Sequence, residues 1–316
     1  MESAVLTIDG LTKKYKGTVA VDNINANMFG GEIIGLVGPT GSGKSTLIKL
    51  IGGLAMPDSG DILVNGISMY RDFEKCMAST GVVPDRPAFY SYLTGRKNLS
   101  VIASMYKKIS PSVIDRLSGE LELDDYIDQP VSRCAAGVTA RLAIASALLH
   151  SPDLLVMDGI LAALDPAAII TVRKFLRRLA AERGLCIVIS ADHMTDVERV
   201  CDKVGIMDHG QLLGISPIDV IRKANCNKGR HRMLLDRPEE AAMYLNESDG
   251  VGVDIHDDYI IVEAEQSKIP RYLSMLGARG FLVYEVAPIE TTLENAYVRM
   301  LMKNPVKNTN GGNGYV

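Results

Sequence analysis

The chain is 316 residues long with a mass of 34.2 kDa, more than one compact core usually holds, so a large domain joined to a smaller one is expected. Its 47% hydrophobic and 23% charged residues exclude wholesale disorder and fibrous repeats. A formal net charge of -4, from 34 basic against 38 acidic side chains, removes bulk electrostatic attraction as a ground for nucleic-acid binding.

The opening MESAVLTIDG has neither the basic start nor the apolar stretch of a signal peptide, and no apolar run reaches bilayer length. A chain neither secreted nor membrane-spanning is expected. Over roughly the first two hundred residues, short β-branched runs alternate with helical patterns, the signature of an α/β fold with a largely parallel sheet. Strands are expected at residues 33–37, 154–157, 185–190 and 204–207. An amphipathic helix over 167–183 puts Ile169, Val172, Leu176 and Leu179 on one face; Asp165-Pro166 opens it and Gly184 stops it. Residues 92–149 lack strand patterns and read as a mostly helical insertion.

The polar stretch NCNKGR at 225–230 interrupts the apolar periodicity and marks a domain boundary. Beyond it the pattern gives a strand at 233–235, a helix at 239–246, a hairpin over 251–264 turning at 256–258, a helix at 269–276 and a strand at 281–286. This βαββαβ order predicts a small ferredoxin-like sandwich. A last helix is expected from the capping box Thr291 to Glu294, with Leu293, Ala296, Tyr297, Met300 and Leu301 on one face. The tail KNPVKNTNGGNGYV is too rich in Asn and Gly to pack and is expected to be disordered. Cys76, Cys134, Cys186, Cys201 and Cys226 show no CxxC pairing and read as reduced, buried thiols.

The segment Gly38-Pro39-Thr40-Gly41-Ser42-Gly43-Lys44-Ser45-Thr46 contains GxxxxGK[ST], which average residue frequencies produce by chance in roughly one chain of this length in a hundred. Position lowers that chance further. The motif follows an apolar strand and opens a helix containing Leu47, Ile48, Leu50 and Ile51, the context in which backbone N–H groups turn inward on phosphates. Lys44 is then expected to reach the β- and γ-phosphates and Ser45 to hold Mg²⁺.

From these landmarks the chain resembles the ATP-binding subunits of ABC transporters over about residues 3 to 217. Tyr15 falls where the family's adenine-stacking aromatic lies, Leu154-Leu155-Val156-Met157-Asp158 matches the Walker B strand with Asp158 toward Mg²⁺, and Ala163-Leu164-Asp165-Pro166 matches the D-loop. CDKVGIMDHG at 201–210 resembles the family's CDRVxIxDxG stretch, and residues 288–297 resemble the close of the antibiotic and multidrug ABC-2 export ATPases. The resemblance implies a P-loop NTPase domain over 1–225 with a helical subdomain at about 91–150, an accessory α+β domain over 230–302 and a tail over 303–316. It also implies ATP and Mg²⁺ as cofactors, nucleotide-dependent dimerisation, a separate membrane permease, and a place in the cytoplasm on the inner face of the membrane. A soluble ABC-fold regulator or assembly factor without a permease is the alternative.

Several landmarks depart from that family. Gly159 stands where a glutamate serves as general base, a group whose loss removes about 10²–10⁴-fold, or roughly 3–5 kcal/mol, of transition-state stabilisation. Asp192 aligns with the switch histidine, where a carboxylate would face the γ-phosphate; a shifted loop would instead put His193 there, otherwise a surface residue. Asp85, in VVPDRP, aligns with the Q-loop glutamine and offers Mg²⁺ a carboxylate. The signature aligns with Cys134-Ala135-Ala136-Gly137-Val138: Ala135 lacks the hydroxyl for a partner's nucleotide, Ala136 adds a methyl where backbone approaches, and Gly137 and Asp165 remain as dimer contacts. The expectation is a subunit that binds Mg·ATP and hydrolyses it weakly, beside a second ATP-binding subunit with more intact motifs, although a homodimer stays open.

Overall fold

The computed structural model describes residues 3–106, 109–224 and 229–289. The chain divides into two compact units that meet at Pro217/Ile218. The NCNKGR stretch falls after that point, so the helix at 218–224 groups with the second unit rather than with the ATP-binding domain.

The first unit holds two sheets. β1 (Leu6–Tyr15) and β2 (Thr18–Met28) form an antiparallel hairpin. With β4 (Ser59–Val64) and β5 (Ile67–Ser68) they make a four-stranded antiparallel sheet in the order β2-β1-β4-β5. Between them in sequence, β3 (Ile33–Val37) and α1 (Lys44–Ile51) begin the second sheet. That sheet has six strands in the order β10-β9-β3-β8-β7-β6, with β6 (Thr80–Val83), β7 (Leu154–Asp158), β8 (Cys186–Ser190), β9 (Lys203–Asp208) and β10 (Gln211–Pro217). β9, β3, β8, β7 and β6 are parallel, and β10 alone runs antiparallel at the edge beside β9. β3, β7 and β8 are buried along their whole length, which is why they read as continuous apolar runs rather than alternating ones. Leu36, Leu47, Ile48, Val156 and Val188 belong to one core together with Leu6, Ile24 and Ile62 of the antiparallel sheet.

Helices fill the connections. α2 (Phe73–Ala78) precedes β6. α3 (Gly95–Ala103), α4 (Pro111–Glu120) and α5 (Ala136–Leu148) occupy the expected helical insertion, whose only described β feature is an isolated bridge between Thr94 and Pro130. Thr94 and Ser110 cap α3 and α4 with their hydroxyls. α6 (Pro166–Arg183) starts on Asp165, whose Oδ1 accepts from the Ala168 N–H at 2.8 Å, and ends on Gly184. Its buried face contains the expected Ile169, Val172, Leu176 and Leu179. α7 (Met194–Val200) follows β8.

The second unit opens with α8 (Ile218–Ala224). β11 (Arg230–Leu235), α9 (Pro238–Asp249), β12 (Val253–Ile255), β13 (Tyr259–Glu263), α10 (Ile269–Ala278) and β14 (Val283–Ile289) follow in the expected βαββαβ order. The sheet order β12-β13-β11-β14, antiparallel throughout, is that of a ferredoxin-like sandwich. Met233, Leu235, Leu245, Ile260, Val262, Tyr272 and Leu276 make its core, and the Tyr272 hydroxyl donates to Asp249 Oδ2 at 2.8 Å. The expected strand at 281–286 begins two residues late because Phe281 is buried in that core before the strand starts. The helix expected after Thr291, the tail and Cys226 lie outside the described residues. Cys76, Cys186 and Cys201 are buried and free, and Cys134 is half-buried and free. Burial pushes the Cys186 thiol up to about 12 and raises the Cys201 thiol as well, so neither is a nucleophile at neutral pH. No helix among the described residues is long and apolar enough to cross a membrane.

Candidate functional site

In a parallel sheet all strands end on the same edge, and ligands bind outside those carboxyl ends. Here the register puts Val83 of β6 beside Met157, Asp158 of β7 beside Ser190, and Ser190 of β8 beside Leu36 of β3. The loops after these four strands therefore open on one edge, and they carry Asp85, Gly159, Asp192 and the segment 38–46.

The loop after β3 is shaped by its glycines. Gly43 is the N-cap of α1 at φ 101°, and a side chain there would place a Cβ 2.1 Å from the Ala20 carbonyl oxygen on β2. A Cβ at Gly38 would meet the Met207 carbonyl oxygen at 2.1 Å. Neither position admits another residue, so the loop is held against β2 and β9 by backbone proximity. Pro39, Thr40 and Gly41 are exposed along it, Thr46 is half-buried, and the Ser42 N–H donates to the Pro39 carbonyl at 3.0 Å.

Lys44, the first residue of α1, is only 6% exposed. Its Nζ donates to the carbonyl oxygens of Gly38 at 2.9 Å and Pro39 at 3.2 Å, and lies 3.4 Å from Asp192 Oδ1. A buried ammonium held beside a glycine loop is an anion-binding device. The Ser42 hydroxyl is also buried and has no hydrogen-bond partner, an unsatisfied polar group in the same loop. A polyphosphate fits this cradle, because it would meet Lys44 and the loop N–H groups together.

Beside the loop, Asp158 Oδ1 accepts from the Ser45 hydroxyl at 3.1 Å and from the Ser190 hydroxyl at 2.6 Å. The Gly159 N–H donates to the Ser190 hydroxyl at 2.9 Å. Ser190 thus joins Asp158 to the backbone of the following residue, a member of the site that the sequence motifs do not mark. Its only signal is its place as the last residue of an apolar strand. Among the described residues no group of three or more His, Cys, Asp or Glu side chains is arranged to hold a metal. Ser45 and Asp158 suit Mg²⁺ nonetheless, since that ion takes one or two protein oxygens and completes its shell with phosphate and water.

Gly159 adopts φ 58°, the left-handed region, and a Cβ built on it would lie 3.3 Å from Asp85 Oδ1. The position at which the resemblance places a base therefore has no side chain, and one there would meet a strained backbone and require the exposed Asp85 carboxylate to give way by a few tenths of an ångström. Asp85 is mostly exposed, with Arg86 Nε 3.8 Å from its Oδ2. His193 is exposed at the N-cap of α7 and makes no side-chain cap. Of these two neighbours it is Asp192 whose carboxylate meets Lys44.

The remaining expected positions fall elsewhere in the unit. Tyr15 ends β1 with its side chain 47% exposed and Lys13 Nζ 5.2 Å from its ring centre. Ala135 is the N-cap of α5 and offers the helix no side-chain acceptor, while Ala136 opens the helix; both are exposed. A Cβ at Gly137 would lie 3.4 Å from the Ala163 carbonyl oxygen and 3.9 Å from Asp165 Oδ2, so the signature segment and the D-loop are neighbours within this chain.

Known proteins resemble this chain in sequence and in fold. The family model described as ABC transporter matches residues 21–162. The chain is 32% identical to the bacitracin transport ATP-binding protein BcrA of Bacillus licheniformis, over 95% of its own length and 98% of that protein's. The chain belongs to the ATP-binding proteins of ABC transporters. A second member, the uncharacterized ABC transporter ATP-binding protein YdbJ of Bacillus subtilis (strain 168), is 31% identical over 95% of this chain and 96% of its own. Both alignments run past the first unit, so the likeness to these ATP-binding proteins includes much of the second. Among solved structures, cbiO1 from Clostridium perfringens, part of the ABC transporter complex cbiONQ, matches with a TM-score of 0.61 at 27% identity, over 71% of this chain and 95% of that one.

Proposed function

We propose that the chain is the ATP-binding subunit of an ABC-type exporter, binding Mg·ATP at the Lys44–Ser45–Asp158 site and hydrolysing it slowly there. The observation that carries this reading is the contrast at one strand end. Asp158 Oδ1 is held by the Ser45 and Ser190 hydroxyls, while the next residue is a glycine in a left-handed conformation with Asp85 close by. Bound Mg²⁺ would offset phosphate charge, with Ser45 and Asp158 as its protein-side oxygens and Asp85, beside Gly159, as a further carboxylate ligand. The loop glycines and Lys44 would bind and orient the phosphates, and Tyr15 would offer the base an aromatic face.

Export is supported by the bacitracin transport protein among the relatives and by the sequence around 288–297. In this reading the chain works at the cytoplasmic face of the membrane with a separate permease, and pairs with a second ATP-binding subunit through Ala135, Ala136, Gly137 and Asp165. A homodimer would repeat Gly159, Asp192 and Ala135 in both of its sites. A different subunit with an intact base and signature would supply the faster site. The test is to purify the assembly from native membranes and identify its chains. A permease together with a second, distinct ATP-binding subunit supports the proposal; an active transporter with this chain as its sole ATP-binding subunit defeats the two-subunit part of it.

A further inference from the structure

The ion pair between Lys44 and Asp192 bears on which nucleotide the loop prefers. An ammonium has three donors, and on Lys44 two of them are turned to the carbonyl oxygens of Gly38 and Pro39. Asp192 Oδ1 stands 3.4 Å from the same nitrogen. The pair has little structural purpose: the Asp192 side chain is 78% exposed, and ion pairs so open to water add almost nothing to stability. Its effect falls on whatever shares Lys44.

Phosphates do not share Lys44 equally. In a phosphate loop the backbone N–H groups cradle the inner phosphates, whereas the lysine ammonium reaches the outer ones. A carboxylate at Nζ therefore weighs most on the γ-phosphate, which the backbone does not cradle, and less on the β-phosphate, which Lys44 and the backbone hold together. The surroundings add to the opposition. Asp85 lies against Gly159 at the end of β7, next to Asp158, so the strand ends bring further carboxylates to the same sheet edge. The Asp158 carboxylate is partly offset by the Ser45 and Ser190 hydroxyls, and the Asp85 and Asp192 side chains stay open to water.

We infer that Asp192 is a specificity-determining residue that cancels the advantage of a terminal phosphate, so that this chain holds ADP at least as tightly as ATP. The inference rests on the nucleotide-site reading above and deepens it. ATP still binds, but exchanging it for ADP gives the chain little free energy with which to shift its own conformation, because only differential affinity moves such an equilibrium. That is a physical reason for a second subunit to supply the nucleotide-driven step.

The test is calorimetric titration of the full-length chain with ADP and with ATP, both at the same Mg²⁺ concentration. The wild type, Lys44→Ala, Asp192→Asn and Asp192→His are compared, with thermal unfolding as the check that each is folded. The wild type should bind ADP as tightly as ATP or more tightly. Asp192→Asn should tighten ATP by about fivefold and ADP by less than about twofold, an effect of the size expected for one partly screened charge. Asp192→His should move the ratio in the same direction, and added salt should shrink the difference in the wild type. A wild type that favours ATP beyond experimental error overturns the inference, as does an Asp192→Asn variant that shifts both nucleotides equally. The underlying site fails in a different way: unchanged binding of both nucleotides in Lys44→Ala would remove the site itself.

Discussion

Two stretches at the same sheet edge have been built to different standards. The loop after β3 meets the demands of phosphate binding with backbone and a single buried cation: Gly38 and Gly43 leave no room for side chains, and Lys44 is 6% exposed. The loops after β6, β7 and β8 supply side chains instead, and there the sequence resemblance sets Asp85, Gly159 and Asp192 against a glutamine, a base and a histidine. Asp85 and Asp192 are mostly open to solvent, so changing them costs the fold little. A binding loop is part of the packing and resists change. Side chains that only serve hydrolysis can be replaced while the strand ends that carry them stay where they are.

The difference between the two stretches is most exposed to challenge at Lys44. Lys44→Ala should weaken ATP binding by about 100-fold or more, or about 3 kcal/mol, because it removes the charge-assisted contacts of the loop. Titration of the folded variant reads this directly, and unchanged affinity would remove the site. A second variant separates the nucleotide loop from the helix that carries the signature segment. Arg141 on α5 is buried, and one of its terminal nitrogens donates to the carbonyl oxygens of Leu121 and Glu122 at 2.9 Å each. Arg141→Met should lower stability by about 2 kcal/mol through those unsatisfied carbonyls while ATP affinity stays put. Denaturant unfolding alongside titration tests both halves of that statement.

Smaller effects belong to the side-chain loops and the signature helix. Restoring the base by Gly159→Glu should recover little turnover, since φ 58° costs a residue with a Cβ about 1–2 kcal/mol and the new side chain would start against Asp85. Adding Asp85→Gln and Asp192→His to the same chain should recover more than the sum of the separate changes, because these groups act as one unit. Full recovery from Gly159→Glu alone would show that the other positions are misassigned. Ala135→Ser should raise stability by about 0.5–1 kcal/mol, since Ala135 holds an N-cap position on α5 without an acceptor. An unchanged melting temperature would count against that geometry.

Much of the fold is legible in the order of the amino acids, and the limits follow from what sets each feature. β3, β7 and β8 are buried on both faces, so their apolar runs announce them; α6 is bracketed by Asp165 and Gly184 and shows its 3.6-residue period. The sheet of β1, β2, β4 and β5 gives no such signal. β1 has polar residues on its half-exposed face and register shifts against β2, which blur the period of two, and β10 is an exposed edge strand. In the site, Lys44, Ser45 and Asp158 follow from local motifs. Ser190 does not, because its tie to Asp158 comes from the pairing of two strands 32 residues apart. The placing of Asp192 against Lys44, and of Asp85 against Gly159, likewise exists only once the strand ends are side by side.

The proposed reading, Mg·ATP binding with slow hydrolysis, joins a phosphate loop that matches its motif to a strand end where Gly159 offers no base. A single-turnover measurement addresses both halves at once: excess full-length chain is mixed with labelled Mg·ATP, and bound nucleotide and released product are followed over time. Stoichiometric binding that disappears in Lys44→Ala is expected, with product appearing about 10²-fold or more slowly than from a relative carrying glutamate after the Walker B aspartate. Product formed as fast as in that relative, and abolished by Lys44→Ala, would contradict it.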